Sequence, residues 1–120
     1  RQRQMCIRDR FSRQMKKGVL EMCVLVMLES GDRYGYDIAN ELSQSIAISN
    51  GTVYPILRRL KQEEYVSSYL VESPGGAPRK YYAITPQGKR LADSLKTEWL
   101  SFSERVTAMI QLLQKEGGGK

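Results

Sequence analysis

The segment SNGTVYPILRRL, residues 49–60, carries apolar side chains at the spacing of a helix. These side chains recur at i, i+3, i+4 and i+7 and fall within roughly 100° of arc: Val53, Ile56, Leu57 and Leu60. Ser49 is a suitable N-cap residue in front of them. The pattern predicts a short amphipathic helix with a core-facing stripe. Pro55 leaves open whether residues 49–53 form an irregular first turn, because a proline inside a helix is costly.

Two helices are predicted before this segment. The first runs from about Phe11 to Glu29, with Met15, Val19, Met22, Val26 and Leu28 on or near an apolar stripe. Residues 22–28 are apolar nearly all round, which indicates that this helix is covered on more than one side. Ser30, Gly31 and Asp32 then end it. The second helix is predicted over Tyr34–Ser43, with Ile38, Ala39 and Leu42 on its inner face.

The segments YVSSYLVE and RKYYAIT alternate polar and apolar residues, and SPGGAP joins them. This is the pattern of a β-hairpin with a Gly/Pro-rich tip. Thr85 and Pro86 form an N-cap and first-turn proline pair, which opens a fourth helix. The predicted fold is mostly α with a β-hairpin (α+β): a helix-turn-helix followed by a wing, plus a long C-terminal helix.

Apolar residues recur every three or four positions along the C-terminal helix. The seam comprises Leu91, Leu95, Trp99, Phe102, Val106, Met109 and Leu113. A helix of about 30 residues is roughly 45 Å long, which is more than a domain of this size covers by itself. The seam therefore predicts a homodimer. Two recognition helices about 34 Å apart would then meet successive major grooves of a palindromic site.

Composition narrows the function classes. The chain has 120 residues, a formal charge of +6 and a pI near 9.5, which favours polyanionic partners. It has no histidine, no cluster of metal ligands and no nucleophile beside a base, so no catalytic residue, metal or cofactor is predicted. Cys6 and Cys23 lack C-x-x-C spacing and are predicted to be reduced, which favours a cytoplasmic protein. The apolar run at residues 22–28 is too short to cross a membrane.

The domain boundaries follow from these elements. Residues 1–10 contain MCIRDR, which resembles a translated sequencing-adapter scar, and are expected to be a non-native or disordered leader. Residues 11–85 are predicted to form the winged-helix domain and residues 86–115 the dimerisation helix. Residues 116–120 are predicted to be a flexible tail.

The polar face of the third helix suits a DNA groove. Gly51 and Pro55 let the backbone approach a surface, Arg58 can bridge guanine edges or phosphates, and Gln62 can pair with adenine. The candidate DNA-binding residues are Ser49, Asn50, Gly51, Thr52, Tyr54, Arg58, Lys61 and Gln62, with Arg79 and Lys80 beside the wing tip. The alternatives are a solvated helix face, or a winged-helix module that contacts proteins and does not bind DNA sequence-specifically.

The chain also resembles the PadR family of transcriptional regulators. The resemblance lies in KKGVLEMCVLVMLESGDRYGYDIANEL, SNGTVYPILRRLKQEEYVSSYL and RKYYAITPQGKRLADSLKTEW, in the family's order and spacing. It implies a winged-helix dimer that represses transcription at an inverted-repeat operator and is released by a small molecule. Asp32, where many members have proline, and Glu63-Glu64 depart from the usual pattern.

The single C-terminal helix resembles the short branch of this family. There the resemblance implies a hydrophobic cavity near the dimer axis, with walls formed by Met15, Gly18, Met22, Leu95, Trp99 and Ser103. An indole and flexible methionines suit hydrophobic or aromatic small molecules. The alternative is that Trp99 and the methionines only pack in the dimer core.

Overall fold

The computed structural model describes the backbone of residues 7–118 and the side chains of residues 18–115. Its elements are α1 (Ile7–Glu29), β1 (Arg33–Tyr34), α2 (Gly35–Ile46), α3 (Asn50–Gln62), β2 (Val66–Ser73), β3 (Gly76–Ile84) and α4 (Pro86–Gly118). The predicted α+β fold with a long C-terminal helix is confirmed. Helix α1 begins four residues before the predicted start, so residues 7–10 of the expected leader are helical; residues 1–6 and 119–120 lie outside the described part.

Helix α1 is covered on several sides, as its apolar run predicts, because it contacts α2, α3, α4 and β3. Its contribution to the core is Leu20, Val24, Leu25 and Leu28. Val26, predicted on or near the apolar stripe, is 36% exposed. It lies about 160° around the helix from Leu28, which is buried.

Helices α2 and α3 form the predicted helix-turn-helix. The inner faces of both are buried as predicted: Ile38, Ala39 and Leu42 in α2, and Val53, Ile56, Leu57 and Leu60 in α3. Helix α2 is longer than predicted and ends before Ala47, which has a left-handed backbone (φ 58°). Helix α3 begins at Asn50, so Pro55 lies inside a continuous helix.

The position of Ser49 as N-cap of α3 is confirmed, but its side chain does not cap the backbone. The Ser49 hydroxyl lies 2.9 Å from the Thr52 hydroxyl oxygen instead. The first backbone N–H groups of α3 are therefore not satisfied by this side chain.

A three-stranded antiparallel sheet has the order β1-β3-β2. Strand β1 was not predicted; Arg33 pairs with Tyr82 and Tyr34 with Tyr81. The hairpin turn is only Pro74–Gly75, with Gly75 at φ 71°, because Ser73 already pairs with Gly76. Residues 76–78, predicted as part of the tip, therefore belong to β3.

The start of α4 confirms the predicted cap. The backbone N–H of Gly88 donates to the Thr85 hydroxyl oxygen at 3.0 Å, and that hydroxyl donates to the carbonyl of Glu64 at 2.8 Å. A Cβ on Gly88 would overlap the carbonyl oxygen of Tyr65, so glycine is required for this close approach. Within residues 7–118, no helix combines the length and apolar composition needed to cross a membrane.

Candidate nucleic-acid interface

The outward face of α3 is accessible to a partner. The side chains of Tyr54, Arg58, Lys61 and Gln62 are exposed, as are Gly51 and Pro55. At the start of the helix Ser49 is exposed, whereas Asn50 and Thr52 are partly buried. Burial of the opposite stripe holds this face outward, so five of the residues predicted for DNA contact share one surface: Gly51, Tyr54, Arg58, Lys61 and Gln62.

The two adjacent arginines of α3 have different surroundings. Arg59 is half-buried and forms an ion pair with Glu21 of α1, which fixes α3 against the first helix. Arg58 has no ion pair among the described side chains and lies about 100° further round the helix. Arg59 is therefore part of the scaffold, and Arg58 is available to a partner.

Neither steric crowding nor the backbone conformation requires a glycine at position 51. A Cβ built on it would have no atom within 4 Å, and its φ is not among the positive values of the chain. Pro55 lies four residues later and has no N–H, so the Gly51 carbonyl lacks the donor that an ordinary helix supplies. Glycine and proline both weaken a helix. In α3, Gly51 and Pro55 leave backbone atoms of the outward face uncovered by long side chains.

A groove runs along one flank of α3, and we call it the cationic groove. Its volume is about 490 Å³, and its lining residues are Tyr34, Gly35, Tyr36, Tyr54, Arg58, Lys61, Lys80 and Tyr82. The lining contains three cations and no carboxylate. A Cβ at Gly35 would lie 3.0 Å from the ring of Tyr82, so a larger residue would have to displace that ring slightly. The groove thus depends on close packing of α2 against β3.

Two tyrosines of the cationic groove, Tyr54 and Tyr82, have a raised pKa. Partial burial, and then the neighbouring hydroxyls of Tyr34 and Tyr36, raise the pKa of Tyr54 above its ordinary value. Burial also raises the pKa of Tyr82, an effect that Arg58 partly opposes. These groups therefore offer neutral O–H donors beside the cations.

The two cations predicted beside the wing tip lie several residues back from the turn. Arg79 pairs with Val71 and Lys80 with Leu70, inside the strands and not at the turn, because the strands extend to Ser73 and Gly76. Successive residues of a strand point to opposite faces. Accordingly Lys80 lines the cationic groove, whereas the Arg79 guanidinium lies 5.0 Å from the centroid of the Tyr34 ring.

A row of tyrosines, which was not predicted from the sequence, crosses the outer face of the sheet. Tyr69 stacks on Tyr81, and Tyr81 on Tyr34, with ring centroids 5.9 and 5.8 Å apart. The Tyr69 hydroxyl donates to Asp32 at 2.6 Å. Tyr69 and Tyr81 occupy odd-numbered positions of the hairpin strands, and this alternation could have placed them on one face. Their partner Tyr34 could not be placed in the same way, because it lies on the unpredicted strand β1.

The apolar side chains of helix α4 are partly buried in its first half and exposed in its second half. Leu91 and Leu95 are partly buried and pack on the core of the same chain, and Trp99 is partly buried. Beyond them the predicted seam is uncovered: Phe102, Val106, Met109 and Leu113 are exposed. Leu100, Ile110 and Leu112 are also 51–63% exposed. The second half of α4 therefore presents more apolar surface than the seven-residue seam predicts.

Two apolar cavities flank Trp99. The smaller, about 270 Å³, is lined by Gly18, Val19, Met22, Leu95, Glu98, Trp99 and Phe102. The larger, about 460 Å³, lies between α1, α2 and α4 and includes Met22, Cys23, Val26 and Trp99. Of the predicted ligand walls, Gly18, Met22, Leu95 and Trp99 are together in the smaller cavity. Ser103 lines neither of these two, and the side chain of Met15 lies outside the described part.

Comparison with known proteins places this architecture in a family. Residues 24–94 match the model of the "Transcriptional regulator PadR-like family". The PadR-like transcriptional regulator of Bacillus cereus is 35% identical, with a TM-score of 0.73 over 82% of this chain and 97% of that chain. An uncharacterized protein of Lysinibacillus sphaericus is 32% identical over 102 residues, 82% of this chain and 94% of that protein.

A third comparison concerns a complex with DNA. Bacillus subtilis PadR, solved with operator DNA, is 24% identical, with a TM-score of 0.58 over 68% of this chain and 46% of that chain. At this identity the likeness shows a shared fold.

Proposed function

The chain belongs to the PadR-like family of transcriptional regulators, and from this premise we propose that it is a repressor that binds a palindromic DNA operator as a homodimer and is released by a hydrophobic or aromatic small molecule. The observation that carries the DNA proposal is the outward face of α3, where a Cβ on Gly51 would meet no atom within 4 Å and Arg58 is exposed and forms no ion pair among the described side chains. The family member from Bacillus subtilis that was solved with operator DNA supports the same partner. Function in the cytoplasm, where reduced cysteines are expected, is part of the proposal.

The proposed roles on DNA follow from side-chain chemistry. Arg58 and Gln62 read base edges in the major groove, while Gly51 lets the helix backbone come close to them. The start of α3 contacts phosphate through Ser49, Asn50 and Thr52. Lys61 and Lys80 add positive charge along the sugar-phosphate backbone, and Tyr54 a hydroxyl donor.

The exposed half of α4 supports the homodimer. Phe102, Val106, Met109 and Leu113 lie on one helix at heptad-like spacing and remain exposed in a single chain. A second copy would bury them and place two α3 helices on one side of the assembly. Two recognition elements related by a two-fold axis match a palindromic operator.

The effector proposal rests on the cavity beside Trp99. In the smaller cavity, the walls are apolar apart from Glu98 and include a flat indole and a methionine, which suit an aromatic or hydrophobic molecule. Such a ligand controls repression only if it binds the DNA-competent and DNA-incompetent arrangements of the dimer with different affinity.

The experiment is a binding titration by fluorescence anisotropy, using a duplex selected by the wild-type protein from a random pool and a scrambled duplex. Arg58→Ala is expected to weaken the free energy of binding to the selected duplex by about 1–3 kcal/mol. It should also reduce the preference of the protein for the selected duplex over the scrambled one. Arg90→Ala, an exposed arginine of α4 without an ion pair among the described side chains, is the charge-matched control. Unchanged preference in Arg58→Ala would favour the protein-interaction alternative.

A further inference from the structure

The larger cavity beside Trp99 is formed by one face of each of three helices. Its lining residues come from residues 22–27 of α1, 41–46 of α2 and 96–100 of α4. Each of these segments is about one and a half helical turns long, roughly 6–8 Å. The volume of about 460 Å³ lies within the range of small-molecule pockets, which is about 300–1,000 Å³. The cavity therefore has the dimensions of a compact molecule.

The mouth of the larger cavity is apolar and exposed in the single chain. Val26 and Ile46 are each 36% exposed, and Leu100 is 63% exposed. Leu100 lies about 140° around α4 from Leu95, so it is not part of the seam that is proposed for the dimer. Packing of one seam on another would leave this mouth open. Contiguous exposed apolar surface of this kind is typical of binding sites.

The two charged residues that line the larger cavity are already neutralised. The Glu41 carboxylate lies 2.7 Å from the Arg33 guanidinium. The Lys96 ammonium lies 3.0 Å from the Glu29 carboxylate. In the smaller cavity, by contrast, Glu98 has no ion pair among the described side chains. A charged ligand in the larger cavity would lose hydration without gaining a counter-ion, so this cavity suits an uncharged molecule.

We propose that the larger cavity is a second small-molecule site, one in each chain, which takes an uncharged and mainly apolar molecule of about the size of a naphthalene derivative. The indole of Trp99 offers an aromatic face to this molecule. The exposed Ser45 hydroxyl, which makes no hydrogen bond among the described residues, offers a partner for one polar group. The bound molecule contacts α2 of the helix-turn-helix and α4 at once. This site is separate from the proposed effector cavity and does not rest on operator binding.

The test uses two dyes that share one ring system: the uncharged N-phenylnaphthylamine and the anionic anilinonaphthalene sulfonate. Trp99 is the single tryptophan of the chain, so energy transfer from it reports a dye bound beside it. All measurements are made on Gly18→Phe, because Gly18 lines only the smaller of the two cavities and its replacement blocks that cavity. A Cβ at Gly18 meets no atom within 4 Å, so the chain accommodates the substitution.

The uncharged dye is expected to bind Gly18→Phe with one molecule per chain. Adding Ser45→Phe fills the larger cavity from α2 and should raise the Kd of this dye by about tenfold or more. Adding Ser94→Phe instead places a phenylalanine at an exposed position of α4 that lines neither cavity, and should leave the Kd unchanged. Circular dichroism melting confirms that each variant is folded.

The charge of the ligand is tested by the second dye. The sulfonate is expected to bind Gly18→Phe with a Kd about tenfold or more above that of the uncharged dye, because its charge would be buried without a counter-ion. Equal affinity for the two dyes would overturn the assignment to an uncharged molecule.

Three further results would overturn the site itself. If the wild type binds the uncharged dye and Gly18→Phe does not, the smaller cavity is the only site for it. If Ser45→Phe and Ser94→Phe have the same Kd, the dye does not occupy the larger cavity. If a monomeric Met109→Lys variant binds the dye and the dimer does not, a second copy of the chain covers the cavity. None of these measurements uses DNA, so failure of the proposed operator function is recognised separately.

Discussion

Replacing Gly51 by alanine separates the stability of the protein from its fit to DNA. A methyl group at this position meets no atom of the chain within 4 Å, and the backbone is not in the left-handed region. Alanine in a helix is more favourable than glycine by about 0.5–1 kcal/mol. Gly51→Ala should therefore raise the free energy of unfolding by about that amount, and the melting temperature by roughly 2–6 °C.

The same methyl group should weaken DNA binding. If α3 presents this face to the floor of the major groove, the added carbon intrudes into a close-packed contact, for which overpacking costs about 1–3 kcal/mol. That corresponds to a rise in Kd of roughly 5- to 150-fold. A more stable protein with weaker binding is an outcome that a general folding defect cannot produce.

The assay pairs urea denaturation with anisotropy titration on the selected duplex. Ser94→Ala is the control, because Ser94 is an exposed helix position on α4 with no side-chain hydrogen bond among those of the described residues. Ser94→Ala should raise the free energy of unfolding by about a few tenths of a kcal/mol and leave the affinity for the selected duplex unchanged. If Gly51→Ala is stabilised and still binds as tightly as the wild type, the outward face of α3 does not approach DNA closely.

Other substitutions test the scaffold and the dimer. Gly88→Ala should lower stability by about 1–3 kcal/mol in urea denaturation, because its Cβ overlaps the Tyr65 carbonyl, and wild-type stability would contradict the packing described. Arg59→Ala should lower the stability by up to about 1 kcal/mol through loss of the pair with Glu21 while retaining operator preference; a changed preference would assign Arg59 to base contact. Met109→Lys should give a folded monomer in light scattering, since this side chain is 60% exposed in the single chain, and a persistent dimer would place the interface elsewhere.

Helices with a strong apolar period were predictable from the sequence. The stripe of α3 was found because four large side chains recur at helical spacing and all are buried. The start of α4 was found because Thr85 and Pro86 act locally, through one hydrogen bond and one fixed dihedral angle. Such signals need no knowledge of distant contacts.

Features that depend on distant contacts were missed. Strand β1 has two residues and exists only because Arg33 and Tyr34 pair with β3. The ion pair that removes Arg59 from the outward surface joins residues 38 positions apart. The hairpin connection was predicted too long, because pairing of Gly76 with Ser73 shortens the turn; Arg79 and Lys80 therefore lie further from the tip than predicted, on opposite faces of the strand.

In the proposed complex, a dimer presents two copies of α3 to successive turns of DNA. Hydroxyl-radical footprinting on a selected duplex, combined with the measured mass of the complex, distinguishes this arrangement from others. We expect two chains per duplex and two protected patches with centres about 10 base pairs apart. One chain per duplex, or protection without a defined position, would contradict it.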